Sequence, residues 1–267
     1  MSAHPPMEDK WWGNWAMAST NEQKDWVHLF VQRLKDDNRT TPGFQFKAYN
    51  MAGVGDNDVN LIDWEHYPAK VTDQEYQIVA DSLAFRRYDE PLPAHVANLV
   101  VLFIGENVKD STDFEHSMQK LMDVAKSHVA HPLFVIVSSF WEHSLVRLLD
   151  YKKKKVAAAH GALYVDITGY SSCNWVDEGM SEVCFISAGG DTMTVSDRNV
   201  LLHPSDDGHD KIARKIYEEL CQHRDTGIKN VALDRDDVYY DLHGRVARNP
   251  KKGIYIHNGK KVYLRGN

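Results

Sequence analysis

The chain has little cysteine: Cys173, Cys184 and Cys221 are the only three in 267 residues. None belongs to a C-x-x-C pair, which excludes the common thiolate metal frameworks and a disulfide-stapled mini-scaffold. Two readings stay open, three free thiols or one bridge between Cys173 and Cys184 across a single loop in an oxidising compartment. No apolar run reaches the roughly 18 residues that a membrane-spanning helix needs, so no membrane span is expected. No signal peptide is legible at the N-terminus. Positive charge is not in excess either. Lys and Arg number 31 against 38 Asp and Glu, a formal net charge of −7, which argues against nucleic acid as the main partner. Internal repeats and low-complexity stretches are absent.

What is present is the composition of an ordinary globular protein, 43% hydrophobic and 26% charged. The length suits one large α/β domain, alone or with a small appendage. The charge is unevenly spread. Residues 222–267 hold ten Lys and Arg against five Asp, a net +5, so the rest of the chain carries −12. That asymmetry marks the C-terminal part as a distinct piece.

Hydrophobic periodicity gives the order of elements. Residues 20–35 read as a helix opened by a capping box, Thr20-Asn21-Glu22-Gln23, with Trp26, Phe30, Val31 and Leu34 on one face. Phe44–Tyr49 alternates as a short strand does. Asn98–Ile104, Leu133–Val137 and Leu163–Ile167 are nearly continuous apolar runs, the mark of strands buried on both faces. Helical patterns occupy Thr112–Val129, Glu142–Ala159 and Asp210–Gln222, with Lys152–Lys155 read as a solvated charge run. Strands alternating with such helices predict a parallel sheet with helices on both faces. Functional residues then gather at the carboxyl ends of the strands, where Gly105-Glu106-Asn107, Ser138-Ser139 and Asp166 stand. Val238–Leu242, Gly253–Ile256 and Lys261–Leu264 are short β-type runs, and Asn258-Gly259 is a two-residue hairpin signal. Two regions follow, an α/β domain over 1–222 and a small β-rich segment over 231–267.

The segment His203-Pro204-Ser205-Asp206-Asp207-Gly208-His209 carries the strongest chemical signal. A neutral imidazole can take a proton from a nucleophile and return it to a leaving group. It needs a carboxylate to fix its tautomer and stabilise its cationic form. Asp206 and His209, three residues apart at a helix entrance, can supply both; the plainer reading is that Asp206 or Asp207 caps the helix. Asn107, just past a buried strand, offers a side-chain N–H to an oxyanion. Gly53, in the loop after Phe44–Tyr49, offers a backbone N–H for the same purpose. Trp11, Trp12 and Trp15 suit either stacking on sugar rings or ordinary packing.

Together these pieces resemble the SGNH (GDSL-type) hydrolases. Asn107 within Gly-Glu-Asn matches the family's third block, and Asp206-x-x-His209 matches its last, in order and about a hundred residues apart. The likeness covers approximately residues 2–221. It implies a three-layer α/β/α, flavodoxin-like sandwich and a Ser–His–Asp acyl-transfer site. His209 would be the general base, Asp206 its orienting carboxylate, and Asn107 and Gly53 the oxyanion donors. No cofactor or metal is implied. The stretch from His4-Pro5-Pro6 through Trp12-Gly13-Asn14-Trp15-Ala16-Met17-Ala18-Ser19, then Asp25-Trp26-Val27-His28, is similar to a bacterial subgroup in which a strand and Gly-Asn-Ser stand a few residues before the His-Pro. That likeness puts the nucleophile immediately before Met1 and the first strand with it, so the chain as given is expected to be poorly stable or inactive. Ser2 and Ser19 are the substitutes within the chain. The tail, Tyr239–Arg245 and Lys252–Val262, resembles sorting or attachment segments of secreted bacterial proteins, which implies a secreted or cell-surface parent.

The leading expectation is therefore an esterase acting on an acylated carbohydrate. A non-catalytic glycan-binding or surface-attached protein on a hydrolase scaffold is the alternative, motivated by the missing serine and the Trp cluster. A metalloenzyme using His203, His209 and nearby Asp is weaker, because His209 has no second His at ligand spacing on its helix.

Overall fold

A computed structural model of the chain describes residues 16, 18–40, 44, 46, 68–83, 99–128, 133–187, 189–233, 239–240, 246–247, 253–257 and 260–264. The chain divides into two compact units, Met1–Glu219 and Leu220–Asn267.

The first unit is mixed α/β. Helices α1 (Trp26–Asp36) and α2 (Asp73–Leu83) precede strand β1 (Leu99–Leu102). Helix α3 (Phe114–His128) then leads to β2 (Leu133–Val137), and helix α4 (Ser144–His160) leads to β3 (Leu163–Val165). The three strands form a parallel sheet in the order β1-β2-β3. Val101 lies opposite Val135, and Val135 opposite Leu163. Successive side chains of a strand point to opposite faces. Val100, Leu102, Phe134 and Ile136 pack in one core with Met118, Leu121 and Met122 of α3 and Leu149 and Val156 of α4. Val135, Val137 and Val165 alternate with them and are also buried. Burial on both faces holds for β2, whereas β1 keeps Leu99 and Val101 half-buried and β3 keeps Leu163 and Tyr164 half-buried; each enclosed Val, Leu or Phe contributes about 1.5–3 kcal/mol.

The sequence expectations for α3, α4 and the three strands agree with these elements to within a few residues. Others need correction. The predicted capping box at Thr20 does not form. Instead Asn21 accepts from Gln23 N and caps a short 3-10 turn over Glu22–Lys24, and Asp25 caps α1 by accepting from His28 N at 2.8 Å. Thr20 is spent elsewhere. The Lys152–Lys155 run is not uniformly solvated: Lys153 has no exposed surface. The buried positions of α4 are Val146, Leu149, Lys153, Val156 and Ala157, a helical stripe into which Lys153 falls by spacing. Helix α2 was not expected. Thr72 and Glu75 form its reciprocal capping box, with Thr72 N reaching Glu75 Oε2 at 2.7 Å and Glu75 N reaching Thr72 Oγ1 at 3.3 Å. The antiparallel pair β4 (Val183–Ile186) and β5 (Thr192–Val195) and the short α5 (Arg198–Leu201) were also missed. Val183, Phe185, Val195, Val200 and Leu201 close a small core around Ala18.

Helix α6 runs over Asp206–Leu233, longer at both ends than the expected 210–222. Most of the expected Phe44–Tyr49 strand lies outside the described residues. All three cysteines are free thiols. Among the described residues, no helix is long and apolar enough to cross a membrane.

The second unit carries an antiparallel sheet in the order β7-β6-β8-β9. Its strands are β6 (Tyr239–Tyr240), β7 (Val246–Ala247), β8 (Gly253–His257) and β9 (Lys260–Leu264). His257 pairs with Lys260, so two residues connect β8 to β9; Asn258 and Gly259 themselves lie outside the described residues. Strand β7 has no counterpart in the sequence reading.

Candidate active site at the carboxyl edge of the sheet

The motif segment is built from its backbone outward. Ser205, not Asp206 or Asp207, caps α6: its Oγ accepts from Gly208 N at 3.1 Å. Ser205 is itself fixed, because its amide donates to Cys173 O at 3.1 Å and its hydroxyl donates to Glu178. Asn174 bridges Pro204 in an antiparallel pair. Gly208 lies so close beneath this loop that a Cβ there would stand 2.3 Å from Cys173 O. Only glycine fits at that approach. The loop over 173–174 thus clamps the entrance of α6.

Three donors converge on Asp206. Thr20 supplies its amide at 2.9 Å and its hydroxyl at 2.7 Å, and Lys24 supplies its ammonium at 2.8 Å. Thr20 is also a junction, since its carbonyl accepts from Ile186 N at 2.8 Å. His209 is completely buried, and its amide donates to Ser205 O at 2.8 Å. The next residues carry a surface pair, Asp207 with Lys211 at 2.6 Å.

The parallel order of β1, β2 and β3 brings the residues after each strand to one edge. After β1, Gly105 adopts φ +108°, and a Cβ on it would stand 2.9 Å from Lys153 Cε. Glu106 then accepts from Phe140 N at 2.5 Å, tying the first loop to the second. Asn107 follows and is exposed. After β2, Ser138 Oγ accepts from Ile167 N at 2.8 Å. Ser139 donates to Asp150 Oδ1 from its amide at 2.9 Å and its hydroxyl at 3.0 Å, and Lys153 Nζ donates to Ser139 Oγ at 2.9 Å. Lys153 and Asp150 pair at 3.1 Å. Trp141, two residues on, meets His203 edge to face with ring centroids 5.3 Å apart. This contact joins the second loop to the motif segment.

Of the other expected participants, Ser19 is buried and donates to Asn21 O at 2.7 Å. Ser2, Gly53, Trp11, Trp12 and Trp15 lie outside the described residues. Among the described residues, no group of three or more His, Cys, Asp or Glu side chains is placed to hold a metal ion. Sequence reasoning missed Thr20 and Lys24 as partners of Asp206, and the Ser139–Asp150–Lys153 cluster. The second was detectable from the place of Lys153 in the apolar stripe of α4. The first joins residues 182 and 186 positions apart and had no local signal. No protein-family model, curated protein or solved structure matches the chain.

Proposed function

We propose that the chain is a serine ester hydrolase of the SGNH (GDSL-type) kind, on a three-layer α/β/α, flavodoxin-like fold, acting on acylated carbohydrates outside the cell or at its surface. The contact between Trp141 and His203 carries this reading. It ties the Asp206–His209 segment to the loop after β2, which the Glu106–Phe140 bond in turn joins to the loop that bears the exposed Asn107. In this reading His209 takes the proton of the attacking hydroxyl, Asp206 orients and stabilises the imidazolium, and Asn107 donates to the oxyanion together with Gly53. The nucleophile is assigned to no described residue.

A second reading is favoured by a specific observation. Asp206 already receives three donors from Thr20 and Lys24, and His209 is wholly enclosed. Such a segment can serve as a fastening between the chain's early residues and α6, within a glycan-binding protein on a hydrolase scaffold.

Hydrolysis of p-nitrophenyl acetate and acetylated xylo-oligosaccharides separates the two. It should be measured on the chain as given and on a form extended upstream in its reading frame. The hydrolase reading expects turnover in the extended form, abolished by His209→Ala and reduced about 10²–10³-fold by Asn107→Ala. Absence of turnover in both forms leaves the binding reading.

A further inference from the structure

A cleft of about 170 Å³ opens beside β3 and α4, lined by Trp141, Glu142, Tyr151, Tyr164 and Asp166 among others. Its chemistry narrows what it can hold. Three aromatic rings give it apolar walls. Its charges are of both signs: Glu142 and Asp166 are answered by Arg147 and Lys154 on the same lining, and Asp150 is taken by Lys153. A bare cation would meet Arg147 and Lys154, and a bare anion would meet the carboxylates. A neutral ligand with one apolar face and several hydroxyls meets neither objection.

The polar groups are held in place before any ligand arrives. Glu142 Oε1 accepts from Gly169 N at 2.8 Å and from Ser171 Oγ at 3.3 Å. Asp166 Oδ1 accepts from Thr168 N at 2.9 Å. Burial pushes the Asp166 carboxyl up, but the bonds from Thr168 and the nearby Lys154 and Lys215 carry it below the usual range, so it stays an acceptor. Burial beside Asp150 and Asp166 pushes the Tyr164 phenol well up, so it stays a neutral hydroxyl. Tyr151, at 62% exposure, stands at the rim, with the Lys155 ammonium 6.0 Å from the centre of its ring. Fixed acceptors, a neutral phenol and an exposed aromatic ring are what a sugar ring requires, with its polar edge and apolar face.

We propose that this cleft is a saccharide subsite that seats one neutral pyranose ring, with Tyr151 and Trp141 against its apolar face and Asp166 and Glu142 accepting from its hydroxyls. Trp141 also touches His203, so the subsite adjoins the motif segment. The proposal rests on the glycan reading of the ligand but does not require hydrolysis.

The test is calorimetric titration of the full chain with xylohexaose, cellohexaose and mannohexaose, none of which carries an ester. Saturable binding of at least one is expected. Tyr151→Ala should weaken it about tenfold, while Tyr151→Phe, which keeps the ring, should hold the affinity within about twofold. Tyr151 is exposed, so neither variant threatens the fold; Asp166→Asn should weaken binding as well. No saturation by any of the three up to roughly 10 mM, weaker than any useful site, overturns the proposal. So does binding that Tyr151→Ala leaves unchanged. Turnover of p-nitrophenyl acetate without saccharide binding would remove the subsite and spare the hydrolase reading. Binding without turnover would do the reverse.

Discussion

At Asp206, Thr20 donates from its amide and hydroxyl and Lys24 from its ammonium. At Asp150, Ser139 donates from its amide and hydroxyl and Lys153 pairs through its ammonium. The two clusters have the same parts, although Lys153 also donates to Ser139 Oγ and Val137 O. They differ most in where the lysine sits: the Lys24 side chain is 52% exposed and that of Lys153 is 0% exposed. Water decides what each is worth. An exposed pair gains little, because solvent screens it and two long side chains must be ordered. A buried pair is costly to assemble and far more costly to break, because the survivor is left as an uncompensated charge. The buried cluster is therefore a fixture of the β2 end and of the Gly105 turn that packs on Lys153. The exposed one holds the motif segment lightly.

The sharpest way to break this comparison is to remove Lys153. Lys153→Met should destabilise the protein by about 3–5 kcal/mol, read from urea unfolding. Lys153→Met combined with Asp150→Leu should regain most of that loss, since a buried pair replaced by apolar groups is often neutral. A near-neutral single variant would mean that burial does not separate the two clusters.

A smaller effect sharpens the comparison from the other side. If the ion pair at Asp206 holds the motif only lightly, the fit of its backbone must hold it more firmly. Gly208→Ala places a methyl group against Cys173 O, where the built Cβ stands at 2.3 Å. The clash is with backbone, so the entrance of α6 must shift. A loss of about 1–3 kcal/mol is expected from overpacking. An unchanged urea midpoint would show that the loop over 173–174 yields freely.

The legibility of the two clusters in the sequence follows the same division. Asp206 was found because a local spacing, Asp-x-x-His, carries chemical meaning. Lys153 was lost inside a run of four lysines, although its place in the stripe with Val146, Leu149 and Val156 assigns it to the interior. The parallel strands were legible as unbroken apolar runs, which burial on both faces explains for β2. The β4–β5 pair was not, although Val183 and Phe185 are buried and Cys184 and Ile186 exposed in alternation; four residues are too few for the period to stand out. The mate of Asp206 lay in Thr20 and Lys24, far off in the chain, and the Thr20 capping reading hid it. Spacing reveals contacts within one turn or one strand, and contacts closed by the fold leave no such mark.

Lys24→Met should cost less than about 1 kcal/mol. Its small effect should shrink further as salt is raised, because the lysine is half in solvent. A loss matching that of Lys153→Met would refute the division by burial.

The smallest expected effect concerns His28, four residues after Lys24 in the chain. His28 Nδ1 lies 2.9 Å from Asp25 Oδ1, and the ring is partly exposed. The bond to Asp25 raises the His28 pKa above its ordinary 6.5; burial opposes it, the charges of Asp25 and Glu22 add to it, and Lys35 subtracts. A raised value means that the folded state holds the proton more tightly than the unfolded chain. The resulting stabilisation is fully present below the unfolded value and is lost as pH rises through the folded one. Wild type should therefore exceed His28→Gln in urea midpoint near about pH 5.5, and the gap should close toward about pH 8.5. Because the ring keeps contact with water, the gap should stay below that of Lys153→Met at every pH. A gap that widened with rising pH would mean that Asp25 holds the neutral imidazole in preference to the cation. The segment that delivers Thr20 and Lys24 to Asp206 would then draw no strength from charge at His28.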